Sequence, residues 1–228
     1  MMLLFKQKSP EKERQSTVNT GFTRFRKEWL EPILIAVVLV FLLKTFIIQN
    51  FKIPSSSMED TLLIGDRLFA SKFVYGAKVP FVNFRILKVR DPRPGDVIVF
   101  KYPEDPSKDY IKRCIAVEGQ TVEIRNKQVY VDGALQKTPE TAKFIDDNII
   151  GEYLGPRDNL QKQTVPTKTL FAMGDNRDNS FDSRYWGFVP YDNLKGKALF
   201  IYGSIDPDAP LFNVLEKIRW NRLFHGLE

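Results

Sequence analysis

Residues 33–43 (ILIAVVLVFLL) are uninterrupted by any polar side chain, and this run restricts the possible architectures more than any other feature. After Lys44 and Thr45 the apolar pattern resumes as Phe46-Ile47-Ile48. A bilayer core takes about 20 residues of helix, with a lower limit near 17. The stretch is therefore borderline over 33–48 and sufficient over 29–51. Lys44 can snorkel to one interface and Trp29 suits the other, while Pro32 falls in a first turn, where it is harmless. A buried core helix would be apolar on one stripe rather than on all faces. A cleaved secretory leader would need an unusually long basic region ahead of its apolar core. The pattern favours an uncleaved anchor. Residues 1–28 carry seven basic side chains against three acidic ones, so most of the chain's net charge of +6 precedes the run. By the positive-inside rule that tail is cytoplasmic, and residues 52–228 lie across the membrane.

Two scarcities exclude whole classes of chemistry. The chain has one histidine, His225, and one cysteine, Cys114. A structural zinc site takes about four such ligands, and an intrachain disulfide needs two cysteines, so no metal or cofactor is expected. A Ser-His-Asp triad would have to recruit His225 from close to the C-terminus. Nothing resembles a groove-reading or RNA-stacking element, so the basic charge is read as a membrane feature and nucleic acid is not an expected partner.

Beyond the run the chain breaks into short strands separated by Gly, Pro and Asp. Residues 66–71, 96–100, 110–117, 121–125, 128–131, 170–173 and 198–202 read as strands, with a hairpin turning at Asn126-Lys127. The expected fold is mainly β: one N-terminal transmembrane helix (29–51), then a catalytic domain. That domain has a core of about 52–120 and 169–205, a small inserted β region of about 121–168, and a tail of 206–228. Leu211, Val214, Leu215 and Ile218 in the tail have the spacing of a short amphipathic helix.

Three segments are chemically dense. Residues 53–66 (IPSSSMEDTLLIGD) place three serines directly after the apolar run; alone they read equally as a capped turn. Residues 109–113 (DYIKR) place Lys112 on a strand, where lysine is ordinarily a solvated residue. Residues 174–187 (GDNRDNSFDSRYWG) could be a charge network bracing a loop. As a calcium loop they fit poorly, because Arg177 and Arg184 would oppose the ion.

Taken together, in this order and beside an apolar run, the three segments resemble the boxes of the bacterial type I signal peptidases, which are Ser/Lys-dyad serine proteases. The likeness covers the run and about residues 51–72, 93–120 and 171–190. It implies a membrane-bound endopeptidase that removes signal peptides from exported preproteins in the bacterial plasma membrane, beside the secretion translocon. By the same resemblance Ser57 is the nucleophile and Lys112 the general base. Ser55, with the Ser57 N–H, forms an oxyanion hole, and Ser180 orients the lysine. Asp182 with Arg184, and Asp175 with Arg113, are bracing pairs. Phe51, Ile53, Pro54, Met58, Leu62, Tyr110 and Ile111 line pockets for small side chains. The chain departs from the family pattern at Ser56, where glycine is usual, and at Glu59-Asp60, which add negative charge by the cleft. The alternative is a tethered, non-catalytic β-domain that binds exported proteins.

A lysine serves as base only when neutral. At its ordinary pKa near 10.4 it is neutral about once in 2,500 at pH 7, and burial lowers that pKa by roughly 3–5 units. The reading therefore requires a dry cavity, an Asp109 that points elsewhere, and an Asp182 neutralised by Arg184.

Overall fold

The computed structural model describes residues 23–78, 84–210 and 214–227. It divides into two units, residues 1–45 and 46–228.

The described part of the first unit is helical. A π-helical turn at Arg26–Leu30 leads into α1 (Glu31–Leu42), with Pro32 in its first turn. A second π-helical turn, Leu43–Ile47, follows and carries the chain into the second unit. Side chains on every face of α1 are exposed, among them Leu34, Ile35 and Phe41. No helix among the described residues is long and apolar enough to cross a membrane. The expected single helix over 29–51 is also cut short. Its last residues form strand β1 (Ile48–Lys52), whose backbone pairs antiparallel with β2 (Asp66–Ser71), Phe51 opposite Leu68. A partner strand claims that backbone, and hydrophobicity alone does not reveal a partner.

The second unit is built on strands, as expected. After β2 come the short hairpin β3 (Ala77–Lys78) and β4 (Arg85–Ile86), then β5 (Val97–Lys101) and β6 (Asp109–Val117). A second group follows: β7 (Thr121–Arg125), β8 (Gln128–Val131), β9 (Ala134–Leu135) and β10 (Leu160–Thr164). The chain ends with β11 (Thr169–Met173), β12 (Val189–Pro190) and the long β13 (Leu194–Ser204). Seven strands form one antiparallel sheet in the order β1-β2-β13-β5-β6-β11-β12. The inserted region forms its own four-stranded sheet, β10-β7-β8-β9. Asn126 and Lys127 both adopt positive φ (49° and 69°) between Arg125 and Gln128, which face each other. This is the tight turn whose twist suits a two-residue hairpin.

Burial follows the strand period only in part. β5 is buried at four consecutive residues, Val97 to Phe100, because both its faces are covered. Three apolar clusters result. One joins Ile53, Met58, Leu62, Leu68 and Ile201; one lies under the inserted sheet; one joins Ile98, Phe100, Cys114 and Leu170. Cys114 is fully buried, and burial pushes its thiol well above the ordinary range.

The tail packs differently from the expected helix. α2 is the single turn Ser183–Trp186, and α3 in the tail is only Val214–Lys217. Leu211 lies outside the described residues. The rest of the tail docks on the core. Arg222 reaches Asp66 at 2.6 Å, Phe224 and Leu227 donate backbone hydrogen bonds to β13, and the Leu227 side chain is buried in the first cluster. Docking by backbone pairing and one ion pair requires no helical stripe.

Candidate active site

The three dense segments converge. β1 ends at Lys52, and the chain then turns through residues 53–65 before entering β2. Ile53 N–H donates to Asp66 O (2.9 Å) and Gly65 N–H to Ile53 O (3.1 Å), which pins both ends of the turn. Met58 and Leu62 are buried beneath it, and Leu62 N–H donates to Met58 O at 2.6 Å, closing a turn, with Asp60 at positive φ, that leaves Ser57 half-buried above the core. Against this turn lies the start of residues 174–187. Asn176 N–H donates to Ser57 O (3.1 Å), and its side-chain amide donates to Ser56 O (3.2 Å) and Glu59 Oε2 (3.1 Å). Gly174 is needed there for close approach: a Cβ at that position would overlap Ser57 O and the Ser180 side chain.

Lys112 reaches the same point from β6. Its Nζ lies 2.5 Å from Ser57 Oγ, and the residue is only 4% exposed. Burial lowers its pKa to about 8; Asp182 and Asp175 pull it up, and Arg184 pushes it down. Ser55 Oγ is 3.5 Å from Ser57 Oγ, on the exposed side of the turn. A serine hydroxyl in contact with a desolvated amine is the arrangement an activated nucleophile requires.

The carboxylates nearby are each engaged. Asp182 is fully buried and accepts from Arg184 Nε and Nη2, both at 2.8 Å, and from Gly174 N–H at 2.9 Å. Burial pushes its carboxyl up, but the Arg184 guanidinium and these hydrogen bonds outweigh it and hold the carboxyl below its ordinary range. Asp175 receives Arg113 in a fork (2.9 and 2.8 Å) and Thr61 Oγ1 at 2.5 Å. Asp109 is drawn off to Lys195 at 2.6 Å. Glu59 and Asp60, the charges expected beside the cleft, face Lys143 at 3.3 and 3.7 Å.

A cleft of about 420 Å³ opens on the Ser57–Lys112 pair. Phe51, Ile53, Pro54, Met58, Tyr110 and Ile111 line it, as expected. Leu62 does not: it is fully buried in the core, because the turn closed at Met58 O directs it inward. Lys112 makes the expected contact with Ser57, but Ser180 Oγ is buried without a hydrogen-bond partner among the described residues, so the orienting bond from Ser180 is absent there. Among further lining residues, Lys52, Ser56 and Asp109 flank the expected ones, Asp109 lining the cleft although its carboxylate pairs with Lys195, and Asn179 and Phe181 come from the 174–187 segment. Asn179 donates from its amide to Ser56 Oγ at 3.2 Å, and the Phe181 ring meets Tyr102, which stacks on Tyr110. Their signal was position: they flank Ser180 in the sequence, on a segment already marked as part of the site. The lone histidine, His225, lies on a separate groove.

Comparisons with known proteins agree with this arrangement. The family model described as "Signal peptidase, peptidase S26" matches residues 26–203. A protein named Signal peptidase I from Pseudomonas aeruginosa is 35% identical over 206 residues, covering 77% of this chain and 72% of that one. Signal peptidase I of Aquifex aeolicus is 35% identical, covering 78% and 84%. A protein named Probable signal peptidase I-1 from Synechocystis is 39% identical over 184 residues, covering 78% and 82%. A family match over most of the chain, together with relatives of this identity and coverage, establishes that the chain belongs to the signal peptidase family, peptidase S26.

Proposed function

We propose that this chain is a membrane-bound serine endopeptidase that removes N-terminal signal peptides from exported preproteins, with Ser57 as nucleophile and Lys112 as general base. The observation that carries the proposal is the 2.5 Å approach of a buried amine to a serine hydroxyl at the floor of an apolar cleft. In its neutral form Lys112 accepts the Ser57 proton as Oγ attacks the scissile carbonyl. The resulting ammonium then protonates the leaving amine, and the acyl group stays on Ser57. Lys112, neutral again, draws a proton from the water that hydrolyses the ester. Ser55 Oγ and the Ser57 N–H are the donors to the developing oxyanion, a role typically worth about 3–4 kcal/mol per donor. Shallow walls of Ile53, Tyr110 and Ile111 suit small side chains next to the cleaved bond.

The apolar residues 29–47, ahead of β1, are assigned as the membrane attachment, with residues 1–28 cytoplasmic and the catalytic unit on the extracytoplasmic side. The apolar side chains exposed all around α1 support this, since such a surface is costly in water. Lipid and the translocon are then the neighbouring partners.

The test is cleavage of a preprotein by the full chain in detergent. Ser57→Ala and Lys112→Met should fold and fail to cleave. The wild-type kcat/KM should rise with pH through an apparent pKa of about 8, as the base is unmasked. Near-normal turnover by Lys112→Met refutes the dyad.

A further inference from the structure

Arg177 and Asp178 are the charged residues of the 174–187 segment that the proposed mechanism leaves without a role, and of the two only Arg177 lacks an ion pair among the described residues. It is 4% exposed, its Nε has no hydrogen-bond partner among the described residues, and it forms no ion pair among them. The carboxylates that act on it are committed elsewhere: Asp175 is forked to Arg113, and Asp182 to Arg184. Three buried guanidiniums therefore share two carboxylates. Asp178, the next residue, is held by Lys127 at 3.1 Å and by two backbone N–H groups, from Ile145 and Asp146. A buried cation without a counter-charge is a costly arrangement that proteins ordinarily resolve by pairing.

Arg177 lines a cavity of about 70 Å³ on a face of the unit distinct from the cleft, together with Arg113, Gly95, Lys137 and Thr138. Three cations line it, and no carboxylate does. The cavity shares Arg113, Lys137, Thr138 and Pro139 with an adjoining groove of about 690 Å³, whose lining also carries Asp60 and Glu140. A cavity of about 70 Å³ takes several waters, each needing at least roughly 10–15 Å³ of such space, or one tetrahedral oxyanion. Water would fill the space but leave the charge uncompensated. We propose that this cavity binds a single phosphate-type oxyanion, which supplies the counter-charge for Arg177, accepts hydrogen bonds from its guanidinium and pairs with Lys137. Burial also works against the Arg177 charge, so its environment gains from such a ligand. Because Asn176, next to Arg177, holds Ser57 O, the bound ion steadies the segment that supports the nucleophile turn.

The experiment uses the full chain in detergent micelles with ¹⁵N-labelled arginine, titrated with inorganic phosphate and, at matched ionic strength, with chloride. The Arg177 Nε–H resonance should move saturably with phosphate and not with chloride, and the melting temperature should rise along the same isotherm. Lys137 is exposed, so Lys137→Gln leaves folding intact and should weaken phosphate binding about tenfold, the value of one charge-assisted contact. Glycerol 3-phosphate distinguishes the source: tighter binding than inorganic phosphate assigns the site to an esterified headgroup, and weaker binding to the free ion. Equal responses to phosphate and chloride overturn the proposal, as does an unchanged affinity in Lys137→Gln. Cleavage activity is not the readout, so failure here leaves the dyad untouched.

Discussion

Replacing Lys112 by methionine should make the protein more stable while abolishing its activity. Lys112 has an ordinary pKa of 10.5 and is brought to about 8 by burial. The folded state therefore releases its proton more readily than the unfolded state. The penalty is fully present below pH 8, where the folded amine must be charged against its surroundings, and it fades as pH rises toward 10.5. A difference of about 2.5 units at roughly 1.4 kcal/mol each amounts to about 3 kcal/mol. Methionine has a similar length and no charge, so it recovers that amount at pH 7. Loss of the contact with Ser57 takes back about 1 kcal/mol. The expected net gain is roughly 2 kcal/mol at pH 7.

The pH dependence is the sharper observable, because the lost contact largely cancels from it. Denaturant unfolding of wild type and Lys112→Met in the same detergent, from pH 6.5 to 10.5, should show the stability difference constant up to about pH 7. It should then shift by about 3 kcal/mol in favour of the wild type by pH 10.5. A flat difference across that range would mean the amine is not desolvated, and the account of its basicity would fail with it.

Two further substitutions probe the supports of the pair. Gly174→Ala inserts a Cβ into Ser57 O and Ser180, so the nucleophile turn must shift. Activity should drop by about 10² through misplacement of Oγ, with a stability loss of roughly 1–3 kcal/mol by thermal unfolding; wild-type kcat would show that the close approach is not limiting. Asp182→Asn leaves Arg184 buried without its partner and should destabilise by about 3–5 kcal/mol. Since Asp182 favours the ammonium of Lys112, its loss should also move the acid limb of the kcat/KM profile below about 8; a limb that stays in place would sever Asp182 from the base.

Much of this arrangement is legible in the residues, and the remainder fails for identifiable reasons. Strands with a clear hydrophobic run or alternation, such as β2, β5 and β7, are readable, and so is the Asn126-Lys127 turn. β10 is not, because LQKQT buries only Leu160 and Gln163 is its one other sheltered residue, so no period-two signal exists. β1 hides within an apolar stretch whose division between helix and strand is decided by pairing with β2. Dyad and bracing residues are of common types and become legible only when the three dense segments are read together. Leu62 was misread because a turn's inward and outward faces depend on which backbone groups close it. Arg177 could not be diagnosed from the chain, since pairing arginines with carboxylates requires knowing which ones meet.

The site is organised around largely cancelling charge, so that burial is the dominant influence on the lysine. Each carboxylate close enough to hold Lys112 in its charged form has its own cation: Arg184 for Asp182, Arg113 for Asp175, Lys195 for Asp109. An unpaired carboxylate at 4 Å would favour the ammonium by about 4 kcal/mol at an effective dielectric of 20, enough to erase the effect of burial. The forked arginines prevent that, because their charge and planar geometry match the carboxylate. Lysine in their place would itself respond to the dry surroundings. Arg113→Lys should therefore perturb the site even though the formal charge is unchanged, raising the apparent pKa of Lys112 as Asp175 becomes less fully engaged. A pH–rate profile identical to wild type would show that one guanidinium fork can be replaced by a point charge, and that desolvation protects the base unaided.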